Sequence, residues 1–120
     1  AEARWVICEG ADGGSHSRSL PLAKLMDDAI IAFYQNGERL RPSQGYPLRL
    51  FVPGWEGNVS VKWLHRLEVS DSPVFSKDES GLYTRILSGG DILAFGFPVE
   101  VKSVITHPSG AGIAAGGRSC

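Results

Sequence analysis

The chain has 120 residues, with 12 Lys and Arg against 13 Asp and Glu, a formal net charge of −1. That length suits one domain or a segment of one, and 42% hydrophobic residues suffice for a packed core and exclude wholesale disorder. So neutral a chain does not point to nucleic-acid binding or polybasic membrane attachment, and no apolar run approaches the roughly 18 residues of a membrane-spanning helix.

In chain order, Arg4 to Cys8 is a short β-favouring run that stops at Glu9-Gly10-Ala11-Asp12-Gly13-Gly14. The following stretch is polar and reads as flexible. Ser19 is placed to cap a short helix over Leu22 to Met26, with Pro21 near its first turn and Asp27-Asp28 unfavourable at its C-terminal end. Ala29 to Gln35 reads as a strand, and Asn36-Gly37 predicts a type I′ hairpin turn into residues 38–41. Leu48 to Val52 is the next strand, ended by Pro53-Gly54. Val59 to Val69 predicts one long strand with Val59, Val61, Trp63, His65, Leu67 and Val69 on a single face. Ser76 is expected to cap one helical turn over Lys77 to Tyr83, with Asp78 and Glu79 favourable in its first turn. Val99 to Thr106 reads as a last strand, and residues 107–120 as a Gly/Ala/Ser-rich linker or the edge of another domain.

The charge is distributed unevenly. Residues 39–66 hold Arg39, Arg41, Arg49, Lys62 and Arg66 against Glu56 alone, whereas the segments on either side are net acidic. A basic middle in a near-neutral chain suits a local anion site such as one for phosphate, or simply a solvated face. His16, His65 and His107 lack metal-ligand spacing, and Cys8 and Cys120 form neither a disulfide framework nor a zinc site. Walker, Gly-x-Gly-x-x-Gly and nucleophile-elbow motifs are absent. The first residue is not Met, and the chain is expected to be an internal segment of a longer protein.

Taken in order, Asn36-Gly37-Glu38, Gln44-Gly45-Tyr46-Pro47-Leu48-Arg49-Leu50, Val52-Pro53-Gly54-Trp55-Glu56-Gly57 and Val61-Lys62-Trp63-Leu64 resemble the molybdopterin domain of the sulfite oxidase family. Gln35 to Glu38, Pro53 to Asn58 and Lys102 to Thr106 look most like its bacterial sulfane dehydrogenase branch, in the molybdenum subunit. The resemblance spans about residues 4–108. It implies an α+β, β-rich, mixed-sheet fold with few short helices. Residues 1–106 would be the C-terminal part of the molybdopterin-binding domain, and 107–120 a linker and the start of an immunoglobulin-like dimerisation domain. It also implies a molybdenum-molybdopterin cofactor and oxidation of a sulfur centre, either sulfane sulfur or sulfite. Electrons would pass to a c-type cytochrome in the periplasm, and the whole protein would be a homodimer or heterotetramer. Neither a nucleic-acid nor a membrane partner is implied.

Residue by residue, the resemblance makes Asp12, Gln44, Arg49, Ser60, Val61 and Lys62 cofactor contacts and Tyr83 the active-site tyrosine, 21 residues after Lys62. Arg49 and Lys62 are expected on neighbouring strands, facing one hollow and gripping the cofactor phosphate, one as a planar fork and the other as a point charge. Gln44 and Ser60 stand where animal sulfite oxidases have histidines. An amide or hydroxyl still hydrogen-bonds but does not titrate near neutrality. The family's metal-ligand cysteine has an Arg-x-Cys-x-Gly-Asn context that Cys8 lacks, so Cys8 is expected to be a buried structural thiol and no metal ligand is assigned. The isolated segment is expected to be inactive. Outside this reading stand a non-catalytic anion- or protein-binding module and, within the family, sulfite dehydrogenase and nitrate reductase.

Overall fold

The computed structural model describes residues 2–106. Strand β1 (Trp5–Gly10) alternates half-buried and buried positions, which sends Val6 and Cys8 inward. It is the centre of a three-stranded antiparallel sheet, flanked by β2 (Ser17–Pro21) and β7 (Leu64–Ser70). The stretch expected to be flexible is therefore a strand, with Leu20 opposite Val6 and Arg18 opposite Cys8. Main-chain pairing with β1 from Ser17 to Pro21 and full burial of Leu20 stabilise it despite its polar composition.

Helix α1 (Leu22–Asp27) is short, as Asp27-Asp28 implied, and Lys24 pairs with Asp28 at 2.7 Å. Ser19 does not cap it. Its hydroxyl lies inside β2 and accepts the Val74 N–H at 3.2 Å. Strand β3 (Ile30–Ala32) is separated from β4 (Tyr34–Gln35) by a bend at Phe33. The expected hairpin joins β4 to β5 (Glu38–Arg39), with φ of 52° at Asn36 and 81° at Gly37. Positive φ at both positions is what a type I′ turn requires. β3 instead pairs with β6 (Arg49–Phe51).

Residues 59–69 do not make one strand. Gly57–Val59 is a 3-10 turn, and Trp63 has a φ of 51°, so the alternation before it and after it does not share a face. Val59 and Val61 are buried, while His65, Leu67 and Val69 are exposed. Residues 61–64, although bent at Lys62 and Trp63, nevertheless run beside β6: the Leu50 N–H donates to the Val61 carbonyl, and the Leu64 N–H to the Leu48 carbonyl, both at 2.9 Å. This places Arg49 and Lys62 on adjacent backbone segments.

The turn after Ser76 becomes a π-helical segment over Glu79–Tyr83, and the Ser76 hydroxyl does accept the Glu79 N–H at 3.2 Å. A hairpin of β8 (Arg85–Ile86) and β9 (Ile92–Leu93) follows, which sequence reading missed. The strand expected over Val99 to Thr106 is not formed in its described residues. Apart from the Val99 N–H bond to the Gly54 carbonyl and a bridge between Trp55 and Pro98, nothing pairs with it there, and Val101, Val104 and Ile105 are exposed. Residues 107–120, the expected linker and domain start, lie outside the described residues, as does Cys120.

The fold is thus β-rich with few short helices. Every strand pairing among the described residues is antiparallel, where a mixed sheet was expected. One core, built on Val6, Cys8, Leu20, Leu50, Val52, Val59, Val61, Leu64 and Phe97, joins β1, β2 and β6 to the 57–64 connector. Among the described residues, no helix is long and apolar enough to cross a membrane.

Candidate functional site

The connector that seals the core also forms the wall of a hollow of about 210 Å³. Asp12, His16, Gly57, Asn58, Ser60, Lys62 and Trp63 line it. Asp12 lies in the turn between β1 and β2, where its carboxylate accepts the His16 N–H at 2.8 Å. Ser60 is buried, and its Oγ accepts the Val52 N–H at 3.1 Å, leaving the hydroxyl proton available to a ligand. Val61 does not line the hollow: its side chain is in the core and its carbonyl accepts the Leu50 N–H. The Lys62 ammonium donates to the Ser43 carbonyl at 2.7 Å and keeps two further donors.

Gly45 holds the lysine stem in place. Its φ is 110°, and a Cβ there would lie 3.0 Å from the Lys62 Cβ. Gly45→Ala combines left-handed backbone strain with that clash, and is expected to lower unfolding stability by about 1–2 kcal/mol, read by denaturant titration. Unchanged stability would show that the loop yields without cost.

Arg49 and Lys62 do not share a hollow as expected. Arg49 lines a separate, more apolar one of about 350 Å³ with Ile30, Ala32, Tyr34, Gln35, Leu40 and Phe51. The reason is local: the backbone bends at Lys62 and at Trp63, whose φ is 51°, so the regular pairing that would set the two side chains side by side is lost, and each cation is drawn to the 43–44 loop. Lys62 takes the Ser43 carbonyl, while Arg49 Nη1 lies 3.5 Å from both the carbonyl and the side-chain oxygen of Gln44, too long for strong bonds. Arg49 Nε is buried with no partner. Gln44 borders a third hollow, of about 380 Å³, with Gln35, Asn36, Glu38, Arg39 and Arg41. The 43–44 loop thus tethers two cations from two sides.

Tyr83 borders a further hollow of about 430 Å³, with Glu56, Arg85 and Phe95 among its walls. It meets the Asp12–Lys62 hollow through His16, whose ring stands edge-on to it at 6.4 Å. His16 Nε2 donates to the Asn58 carbonyl at 2.8 Å, and Nδ1 lies 3.3 Å from Asp78. Beneath them, fully buried Arg18 meets buried Glu79 at 2.7 Å and donates to Asn58 Oδ1 at 2.6 Å. Asp78 and Glu79 therefore serve this cluster rather than a helix dipole. Sequence reading missed His16, Arg18, Asn58, Asp78 and Glu79 in this role. The available signal was an arginine flanked by serines just before Leu20-Pro21, which makes sense in a strand only if something inside the protein pairs with it.

Cys8 is fully buried, and burial pushes its thiol up to about 12 from an ordinary 9.0. It is neutral and inaccessible, as a core residue is and a thiolate ligand is not. The folded value lies above the unfolded one, so its contribution to stability is complete below about pH 9 and falls as pH rises towards 12. Thiol labelling of the native protein at neutral pH is expected to spare Cys8, and Cys8→Ser to leave molybdenum content unchanged. Rapid labelling or metal loss with the fold retained would contradict this.

The donor set fits a phosphorylated pterin. In the Asp12–Lys62 hollow, Lys62 and the Ser60 hydroxyl offer donors to an anion and Asp12 an acceptor to pterin N–H groups, while Arg49, with its unpartnered Nε, stands at the neighbouring hollow. Comparison with known proteins agrees. The family described as "oxidoreductase molybdopterin binding domain" matches residues 1–77, and the chain belongs to it. Its cofactor is molybdopterin. The chain is 48% identical to the sulfane dehydrogenase SoxCD from Paracoccus pantotrophus, whose crystal structure it matches with a TM-score of 0.84 over 89% of this chain and 28% of that one. It is 43% identical over 77 residues to mitochondrial sulfite oxidase of Drosophila melanogaster, covering 58% of this chain and 13% of that protein. To the NADH nitrate reductase of Ulva prolifera it is 47% identical over 66 residues, covering 52% and 8%. The chain thus spans only a small part of these curated relatives.

Proposed function

We propose that the chain supplies part of the molybdopterin cradle, and the tyrosine beside it, in an oxidoreductase that oxidises a sulfur centre, sulfane sulfur or sulfite. In this reading Asp12, Ser60 and Lys62 contact the cofactor directly, while Arg49 and Gln44 approach it from the other side of the 43–44 loop. When bound, the molybdenum cofactor supplies two-electron redox chemistry at its metal. Lys62 and Arg49 neutralise and orient the phosphorylated end. Ser60 and Asp12 fix the pterin edges by complementary hydrogen bonding. Tyr83 offers its phenolic O–H to negative charge on the substrate, a donor already in place before the reaction begins.

What supports a sulfur substrate is the 48% identity to the sulfane dehydrogenase in a structural match over 89% of this chain. Nitrate reductase and sulfite oxidase sequences match similar shares of it, 60% for that of Aspergillus niger and 58% for that of Drosophila melanogaster, so the substrate is decided by assay. The c-type cytochrome acceptor, periplasmic location, α+β label, domain boundary near residue 106 and homodimeric or heterotetrameric assembly belong to the same proposal. The test is metal and pterin analysis of the full-length protein, followed by cytochrome c reduction with sulfite and with thiosulfate, and nitrate reduction with an artificial donor. Sulfur-dependent cytochrome reduction is expected. Nitrate turnover alone would replace the sulfur reading, and a protein free of molybdenum and pterin would leave a non-catalytic module.

A further inference from the structure

Arg18 is an expensive residue to bury. A buried ion pair contributes little net stability over well-packed apolar side chains, because desolvation offsets the attraction. Yet Arg18 is fully buried, and besides the core ring of Phe97, 5.8 Å from its guanidinium carbon, it meets Tyr83 directly and Glu79 of the segment that carries Tyr83. Its guanidinium carbon lies 4.4 Å from the centre of the Tyr83 ring. Its partner Glu79 opens the π-helical segment that ends at Tyr83. Glu79 also accepts the Phe95 N–H at 2.6 Å with its other oxygen, and its carbonyl accepts the Thr84 hydroxyl at 2.8 Å. Asn58, a residue of the Asp12–Lys62 hollow, accepts Arg18 Nη1–H with its Oδ1. π-Helical segments recur at functional sites, where they aim a side chain that regular helix would misdirect.

We propose that Arg18 is a positioning residue for Tyr83. Its guanidinium fixes the plane of the phenol ring from one side and, through Glu79, the backbone that carries it from the other, while Asn58 ties both to the wall of the cofactor hollow. Arg18 touches no ligand itself. A flat guanidinium stacks on a ring, and an ammonium does not reproduce that contact. The idea rests on the active-site role given to Tyr83 above.

The test uses the full-length, cofactor-loaded protein with Arg18→Lys, Tyr83→Phe and the double variant. Arg18→Lys is expected to lower kcat about tenfold with KM and molybdenum content little changed, and to cost nothing further in the Tyr83→Phe background, as coupled residues do. Independently of activity, the Tyr83 ring resonance in tyrosine-labelled protein, identified by its absence from Tyr83→Phe, should move in Arg18→Lys and not in the surface control Arg66→Lys. If Arg18→Lys fails to fold, Glu79→Gln, which retains an acceptor for the Phe95 N–H, takes its place with the same expectations. Additive losses or an unmoved resonance would overturn the positioning role while leaving Tyr83 in the site. A Tyr83→Phe enzyme of normal rate would instead overturn the role of Tyr83 itself.

Discussion

Lys62→Ala is expected to leave the full-length protein with most of its molybdenum and pterin missing after purification. Lys62 joins three features: it lines the hollow shared with Asp12 and Ser60, its ammonium is anchored on the Ser43 carbonyl, and its stem fills the space that Gly45 leaves open. A charge-assisted hydrogen bond to an anionic group contributes about 1.5–3 kcal/mol, so its loss weakens retention roughly 10- to 100-fold. Arg49→Ala is expected to act in the same direction but less strongly, since Arg49 lines a different hollow. The order of the two effects separates this arrangement from the symmetric two-cation grip that the sequence suggested. Molybdenum quantified by mass spectrometry and pterin by fluorescence after oxidative release provide the readout. Full content in both variants would remove the cradle from this face.

Tyr83→Phe is expected to slow turnover by about 10- to 100-fold with metal loading intact, because one aimed hydrogen-bond donor is lost while the ring and its packing remain. The ring should stay in place, since Arg18 and His16 both contact its π system rather than its hydroxyl. Steady-state rates over a range of sulfite or thiosulfate concentrations check this. An unchanged kcat would take the hydroxyl out of the chemistry.

Much of the fold could be read where local chemistry determined it. Asn36-Gly37 specifies its turn through backbone conformation alone, and Asp27-Asp28 limits α1 through charge at a helix end. Reading failed where distant contacts decide. The polar run before Leu20 becomes a strand because it pairs with β1, and it can bury Arg18 because Glu79, 61 residues away, meets the guanidinium. Nothing in the alternation of residues 59–69 discloses that Trp63 adopts positive φ and splits the pattern. In the site, motif order singled out Asp12, Ser60 and Lys62, which the fold brings to one hollow. It placed Arg49 there too, because a sequence gives neighbouring segments but not which way each head group leaves them. The Arg18–Glu79–Asn58 cluster escaped because its members are spread from β2 to the π-helical segment and form no linear motif.

A crystal structure of the full-length, cofactor-loaded protein, phased at the molybdenum edge, tests the central claim most directly. The account predicts the pterin phosphate within hydrogen-bonding reach of Lys62 and the pterin between Asp12 and Ser60, with the Tyr83 hydroxyl turned towards the metal. A pterin bound away from the Asp12–Lys62 hollow, with Lys62 still closed onto Ser43 and free of any phosphate, would contradict it.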